Sequence, residues 1–404
     1  MSSCSIKPYF RCFTRVKVTG QWVQVKENVA SINIRPDERF TPICHRCKKK
    51  TVTTYQIVYR SVRDLNIGST VIFLAILYRK LVCAECGCVR TEYFDFIEPY
   101  LRVTKRLAQY IHDLCKVMTV KEVAGHLGLD WKTVKEIDKK FLEEEFGETD
   151  YTGLRIIAVD EISRRRHHDY LTVLLDYETG RIVWIGEGRK ESTLDSFFCE
   201  MPASIREDIE AVAMDMWDPY IASVRKWCPN ANIVFDFFHV VKEFNKVIDK
   251  VRNQEYHKAA EADKRVLKGA RYLLLKNSEN LRPKEKPHLK QILNLNENIS
   301  TVYILKDALK NIWSYKYRKS AEKALDNWCQ LAYESDIKPV IKFAERLQRH
   351  KEGILNHCHY SIHTNKIEGV NNTLKVIKRK AYGFRDTRYF ILKAKQAFAG
   401  NSTH

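Results

Sequence analysis

RIIAVDEISRRRHHDYLTVLLDYETGRIVWIGE, residues 155–187, decides the fold. Its apolar runs RIIAVD, YLTVLLD and RIVWIGE are short and rich in β-branched residues, and the DYETGR turn between the last two is a hairpin signal. A strand ending in Asp160 is therefore expected beside an antiparallel meander. Further along, STLDSFFCEM and SIREDIE carry helical periodicity, AVAMD (211–215) reads as a strand, DPYIASVRKW as a helix and NIVFD (232–236) as another strand. A meander followed by alternating helix and strand is an α/β layout, and such folds collect ligands at the carboxyl ends of their strands. Asp160, Asp215 and Asp236 are all expected at such ends.

Another acid arrives on a helix. In TNKIEGVNNTLKVIKRK (364–380), Ile367, Val370, Leu374 and Ile377 mark the buried face, while Glu368, Asn371, Asn372, Lys375 and Arg379 follow an adjacent stripe. Carboxylates from two strands and one helix make an oxygen-donor site for hard divalent cations, and two such ions clamp the attacking and leaving oxygens of a phosphodiester. The amides and cations beside Glu368 suit a phosphate backbone, and Arg385 extends that basic strip. Among neighbouring acids, Glu161 should face away from Asp160, Asp218 before Pro219 reads as a helix start, and Asp236 is the rival for a place in the triad. His239 is expected to pack or hydrogen-bond near the site. The His357, Cys358, His359 and His363 cluster is not expected to hold metal, because hard-ion phosphoryl transfer does not need imidazole.

Charge names the partner class. With 69 Lys+Arg against 50 Asp+Glu the formal net charge of this 404-residue chain is +19, the footprint of a protein that meets a polyanion. The longest apolar run, VIFLAIL (71–77), is far short of the ~20 residues of a membrane span, and MSSCSIKPYFRCF lacks a signal peptide's apolar middle. A cytoplasmic protein that engages no membrane is expected.

Four of the 12 cysteines form two C-x-x-C pairs, Cys44 with Cys47 and Cys83 with Cys86. Each pair offers two thiolates from one tight turn, the arrangement of a structural zinc site. The β-rich stretches on either side of NIGS between the pairs fit a zinc ribbon. Cys88 competes with Cys86 for the fourth place. A helix-turn-helix pattern follows. Val120, Val123, Ala124 and Leu127 recur at helical spacing, Gly128 breaks the helix, and Asp130 is placed to cap a second one carrying Val134, Ile137 and Phe141. Lys132, Thr133, Lys135 and Lys139 on that second helix are expected to touch phosphates and base edges.

The segments VDEISRRRHHDYLTVLLD (159–176), AMDMWDPYIASVRKWCPNANIVFDFFHVVKEFNKVIDKVR (213–252) and TNKIEGVNNTLKVIKRKAYGFRDTRYF (364–390) resemble the catalytic segments of the ISL3 family of insertion-sequence transposases. The double C-x-x-C and the helix-turn-helix are similar to that family's arrangement too, so the likeness runs from about Cys44 to Phe398. The resemblance implies a DDE transposase with an RNase H-like domain and a triad of Asp160, Asp215 and Glu368. It also implies two Mg²⁺, or Mn²⁺ in their place, acting on the element's terminal inverted repeats and then on target DNA. Holding two ends together calls for at least a homodimer on DNA. A domesticated, non-catalytic zinc and helix-turn-helix DNA-binding protein is the alternative, and intact acids at all three positions argue against it. The domain order expected is a zinc-binding β-rich region (1–98), a helix-turn-helix (99–150), the first part of the catalytic domain (151–239), an all-helical insertion (240–355), read from the helical phase of Val240, Phe244, Val247, Ile248 and Val251 and from later helical runs, and a final helical part (356–404).

Overall fold

A computed structural model describes residues 7–10, 13–98, 101–165, 169–362 and 365–399; His363, Arg166, His167 and His168 lie outside them, as do residues 1–6 of the amino-terminal segment. The chain divides into two compact units, Met1–Glu145 and Phe146–His404. Among the described residues no helix is long and apolar enough to cross a membrane.

The first unit is a sheet followed by three helices. Strands β1 (Val16–Gln24), β2 (Val29–Pro36), β3 (Thr54–Ile67) and β4 (Thr70–Cys83) are ordered β1-β2-β4-β3, with β5 (Cys88–Thr91) also pairing β4. β3 and β4 form the hairpin expected around NIGS. Its turn needs Gly68, whose φ of +62° would strain any residue with a Cβ. Alternation along β4 buries Ile72, Leu74, Ile76 and Tyr78 against Ile32 and Ile34 of β2 and against Phe94 and Phe96. The pairing of β1 with β2 was not read from the sequence.

Helices α1 (Lys105–Val117), α2 (Val120–Leu127) and α3 (Trp131–Phe146) complete the unit. A capping box between Thr119 and Glu122 starts α2, and Gly128, with φ of +63°, ends it. The Asp130 carboxylate accepts the Lys132 backbone N–H (2.8 Å) at the start of α3. Val123, Ala124 and Leu127 pack on Val134 and Ile137 with Leu107 and Ile111 of α1. Within this core His112 Nδ1 lies 2.8 Å from the buried Asp138 carboxylate, and its ring stacks on Phe141. α3 ends in the acidic stretch FLEEEF (141–146).

The second unit is a three-layer α/β/α body. β6 (Ile156–Arg165), β7 (Asp169–Asp176), β8 (Ile182–Glu187), α4 (Glu191–Glu200), α5 (Ala203–Glu207), β9 (Ala211–Met214), α6 (Asp218–Trp227) and β10 (Asn232–Phe235) follow in order. The sheet runs β10-β9-β6-β7-β8, parallel across its first three strands and antiparallel across the last three. Period-two alternation sorts its residues by face. Ile157, Val159, Val212 and Met214 pack on Phe197, Phe198 and Tyr220 from α4 and α6. Ala158, Ile162 and Ala213 face the opposite layer. That layer is α15 (Asn365–Lys380) and α16 (Thr387–Ala397), which contribute Ile367, Val370, Leu374, Phe390 and Ala394.

Between these parts comes the helical insertion. α7 (Phe237–Lys258) opens it, followed by α8 (Glu261–Leu267), α9 (Arg271–Leu275), α10 (Lys286–Leu295), α11 (Glu297–Asn311), α12 (Arg318–Glu334), α13 (Lys338–Arg349) and α14 (Lys351–Leu355). Phe244, Leu305, Trp328, Phe343 and Leu347 are continuous with the core under α4 and α6, and the Trp328 indole N–H donates to the Leu305 carbonyl (2.8 Å). One expectation needs correction. β6 does not end at Asp160; it continues to Arg165 because β7 keeps pairing it after β9 has stopped.

Candidate functional site

The register of the parallel strands assembles the acids. Ala158 of β6 pairs with Ala213 of β9, and Phe235 of β10 pairs with Met214, so the next residues along place Asp160, Asp215 and Asp236 at one level. Asp160 and Asp215 share the parity of Ala158 and Ala213, hence the face covered by α15. There they line a cleft of about 470 Å³ together with Asp236, His239, Lys242, Asn245, Glu368, Asn371, Asn372 and Lys375.

Ligand atoms of Asp160, Asp215 and His239 lie within 4.8 Å of one another. Asp160 is held at both oxygens, Oδ1 accepting the Glu161 backbone N–H (2.7 Å) and Oδ2 accepting from Asn371 Nδ2. His239 Nδ1 sits 2.6 Å from Asp215 and 2.5 Å from Asp236, whose other oxygen caps α7 through the Phe238 N–H (2.8 Å). Burial by itself lowers the His239 imidazole, but hydrogen bonds and charge from Asp215 and Asp236 outweigh it and raise the group to about 10. An imidazolium thus sits between the two aspartates and offsets part of their charge. Burial pushes the Asp160 carboxyl up to about 6, with the charges of Asp215 and Asp236 adding to the rise. Burial also raises Glu161, which reaches Arg189 at 3.6 Å and is opposed by that charge.

Glu368 stands in the first turn of α15, exposed, and lines the same cleft outside the tight Asp160–Asp215–His239 set. Asn372 and Lys375 are exposed along the cleft; Arg379 and Arg385 are exposed beyond the residues that line it. Asn371 departs from its expected place facing a phosphate backbone: it is 8% exposed and its amide is spent on Asp160. At i+3 from Glu368 it falls between the buried and exposed stripes, and packing turns it inward. Asp218 opens α6, as its Pro219 suggested. His357 reaches the carbonyls of Ile354 and Tyr315. The sequence reading passed over Lys242 and Asn245; their positions one and two turns after His239 on α7 were the available signal. The carboxylate oxygens that line the cleft are hard donors and fit a hard divalent cation.

In the first unit the four cysteines meet as two crossed pairs. Sγ atoms of Cys44 and Cys86 are 3.9 Å apart, those of Cys47 and Cys83 3.5 Å, and all four lie within 4.8 Å. A tetrahedral ion with metal–sulfur bonds of about 2.3 Å requires sulfur–sulfur edges of about 3.8 Å. Each knuckle closes on a left-handed residue after its second cysteine, Lys48 (φ 58°) and Gly87 (φ 63°). The Cys86 backbone N–H, with the sulfurs around it, lowers the Cys83 thiol to about 6, while burial and those sulfurs push Cys86 up to about 12. Cys88 turns away, its thiol on the Cys86 carbonyl at 3.1 Å. On α3, Lys132 is exposed beside an exposed Trp131, and Thr133, Lys135 and Lys139 are half-buried.

An α/β body presenting paired aspartates under a helix, in a chain that also carries a four-cysteine cluster and a helix-turn-helix, defines a class of DNA-acting proteins. The ISL3 DDE family model, described as a transposase, matches residues 157–394, and the helix-turn-helix domain of transposase family ISL3 matches residues 92–142. The chain is 36% identical over 385 residues to the transposase for insertion sequence element IS1001 of Bordetella parapertussis, covering 95% of each. To the transposase for insertion sequence element IS1557 of Mycobacterium tuberculosis it is 27% identical over 396 residues, covering 91% of this chain and 88% of the relative. The chain belongs to the ISL3 family of transposases.

Proposed function

We propose that the chain binds the terminal inverted repeats of an insertion sequence and catalyses DNA strand cleavage and strand transfer at Asp160, Asp215 and Glu368, in a domain of RNase H-like type. The observation that carries this reading is the meeting of the three acids in one cleft, from β6, β9 and α15. Water attacks a phosphodiester at the element's end, its oxygen bonding phosphorus as the bond to the 3′ oxygen breaks and leaves a 3′-hydroxyl. That hydroxyl then attacks a phosphodiester of target DNA and displaces its 3′ oxygen. Asp160 and Asp215, with Glu368 from α15, would hold two Mg²⁺ or Mn²⁺, which when bound supply Lewis-acid charge to the attacking and leaving oxygens.

The chain's own residues do the rest. Glu161 N–H and Asn371 fix the rotation of the Asp160 carboxylate, and His239 fixes that of Asp215. Lys375, Asn372, Arg379 and Arg385 give cationic and amide contacts to the backbone that approaches α15. Zn²⁺ on Cys44, Cys47, Cys83 and Cys86 would close a zinc ribbon, and Lys132, Thr133, Lys135 and Lys139 of α3 would read the ends. The protein works in the bacterial cytoplasm, on the nucleoid when bound, as a homodimer or larger assembly that pairs two ends.

Incubating the protein with Mg²⁺, end-bearing DNA and a target plasmid tests the reading. Nicked ends followed by joined products are expected. Asp160→Ala is expected to reduce both to the protein-free level while gel-shift affinity for the ends is kept. Cleavage by that variant at the unaltered rate would remove Asp160 from the chemistry.

A further inference from the structure

Two buried amide oxygens in the cleft have nothing to accept from. Among the described residues, Asn371 Oδ1 and Asn245 Oδ1 are the carboxamide oxygens buried without a hydrogen-bond partner, and both residues line the cleft of Asp160, Asp215 and Glu368. Leaving a buried acceptor unpaired costs stability, so such atoms mark a place where a water, an ion or a ligand completes the structure. The two come from different elements, α7 and α15, which makes a single local packing accident a poor account.

Asn371 is oriented by its other end. Its Nδ2 donates to Asp160 Oδ2; turning the amide over would set two acceptors against each other. At 8% exposure it has little surface to offer a DNA backbone. A neutral carbonyl oxygen also has nothing to give a phosphate, whose oxygens are acceptors as well. What such oxygens accept is an O–H or N–H donor, and a DNA phosphate offers neither. Mg²⁺ keeps several of its waters and is bound through few carboxylates, so the loaded cleft brings donors of this kind.

We propose that Asn371 is a positioning residue, orienting Asp160 through Nδ2 and, with Asn245, offering neutral oxygens to the waters carried by a divalent cation. The inference rests on the divalent-ion reading of the cleft given above. Residues that orient or hydrogen-bond the ligands of a metal typically change its affinity by about 10–100-fold when replaced.

The test is Mn²⁺ binding to the full chain without DNA, followed by the loss of the free-ion electron paramagnetic resonance signal, beside gel-shift affinity and the melting temperature. Asn371→Leu and Asn245→Leu are each expected to weaken Mn²⁺ by about tenfold or more. Affinity for DNA ends should stay within about twofold, and the metal-free melting temperature should not fall in Asn245→Leu, which removes an unpaired buried acceptor, whereas Asn371→Leu also takes a donor from Asp160 and should lower it somewhat. Asn371→Ala serves in place of Asn371→Leu if the larger side chain prevents folding. Wild-type Mn²⁺ affinity in both variants would overturn the proposal. Loss of DNA affinity with Mn²⁺ affinity intact would do the same and return Asn371 to the backbone. A wild-type chain that takes up no Mn²⁺ would instead sink the divalent-ion reading itself.

Discussion

The cysteine cluster and the carboxylate cluster solve the same problem in opposite ways. Cys44 with Cys47 and Cys83 with Cys86 come from two turns, and the β3–β4 hairpin brings those turns together. Asp160, Asp215 and Glu368 come from two strands and a helix whose meeting depends on sheet register, strand parity and the packing of α15. The thiols already stand at tetrahedral spacing, whereas Asp215 is held by the His239 imidazolium and Asp160 by the Glu161 N–H and Asn371, with Glu368 apart from the tight set. A soft, closed site can be built from local turns. An open site for hard ions at the meeting point of three elements keeps room for a substrate and leaves its charges to be balanced by whatever enters.

The largest expected effect belongs to the closed site. Cys47→Ser should take bound zinc, measured by elemental analysis, from one equivalent to none and unfold the knuckles, because a structural zinc contributes folding free energy on the order of 10 kcal/mol. Cys88→Ser should keep the zinc and the melting temperature, since that thiol lies on the Cys86 carbonyl outside the cluster. Zinc loss in both would break the assignment of the fourth ligand.

Acidity separates the two sites next. The Asp160 carboxyl is raised from 3.8 to about 6, so between those values the native chain holds a proton that the unfolded chain has lost. This group's contribution to metal-free stability therefore falls as the pH rises through about 6. A divalent cation competes with that proton, so Mn²⁺ affinity should drop about tenfold for each pH unit below about 6. The four-thiol site should show a steeper dependence over the range in which several thiols ionise. Titrating Mn²⁺ and Zn²⁺ separately between pH 5 and pH 8 checks both, and a flat Mn²⁺ profile would place Asp160 outside the ion site.

The smallest effect concerns the surface that neither site uses. Lys132→Ala on α3 should weaken binding to the ends only a few-fold and lower the salt slope of affinity by about one counterion, as for a single phosphate contact. A change in sequence preference at one base pair would sharpen this into a base contact.

Much of the fold was legible because it is local. The C-x-x-C spacing, the Gly128 stop, the Asp130 cap and the DYETGR hairpin each state their geometry within a few residues. The strands at 211–214 and 232–235 were readable because they are short apolar runs between helices. Non-local facts were not. The apolar run ending at Asp160 hides that β6 continues to Arg165, since only its partner β7 extends it. Strand β1 is largely exposed and gives little apolar signal, so its pairing with β2, which buries Ala30, Ile32 and Ile34 at alternate positions, had no local mark. Asn371 was placed on the wrong stripe because a helical position between two faces is settled by what packs there.

By itself the sequence determined which residue types this protein brings to bear: thiols in pairs, acids at strand and helix positions, an excess of cations, and the caps that start and stop its helices. Those are properties of single residues and their near neighbours, and chemistry fixes them before folding. Only the tertiary structure decided that Asp215 shares His239 with Asp236, that Asn371 binds Asp160, and that Glu368 joins the cleft outside the tight set. Register and packing between elements far apart along the chain carry those decisions, and no local pattern encodes them.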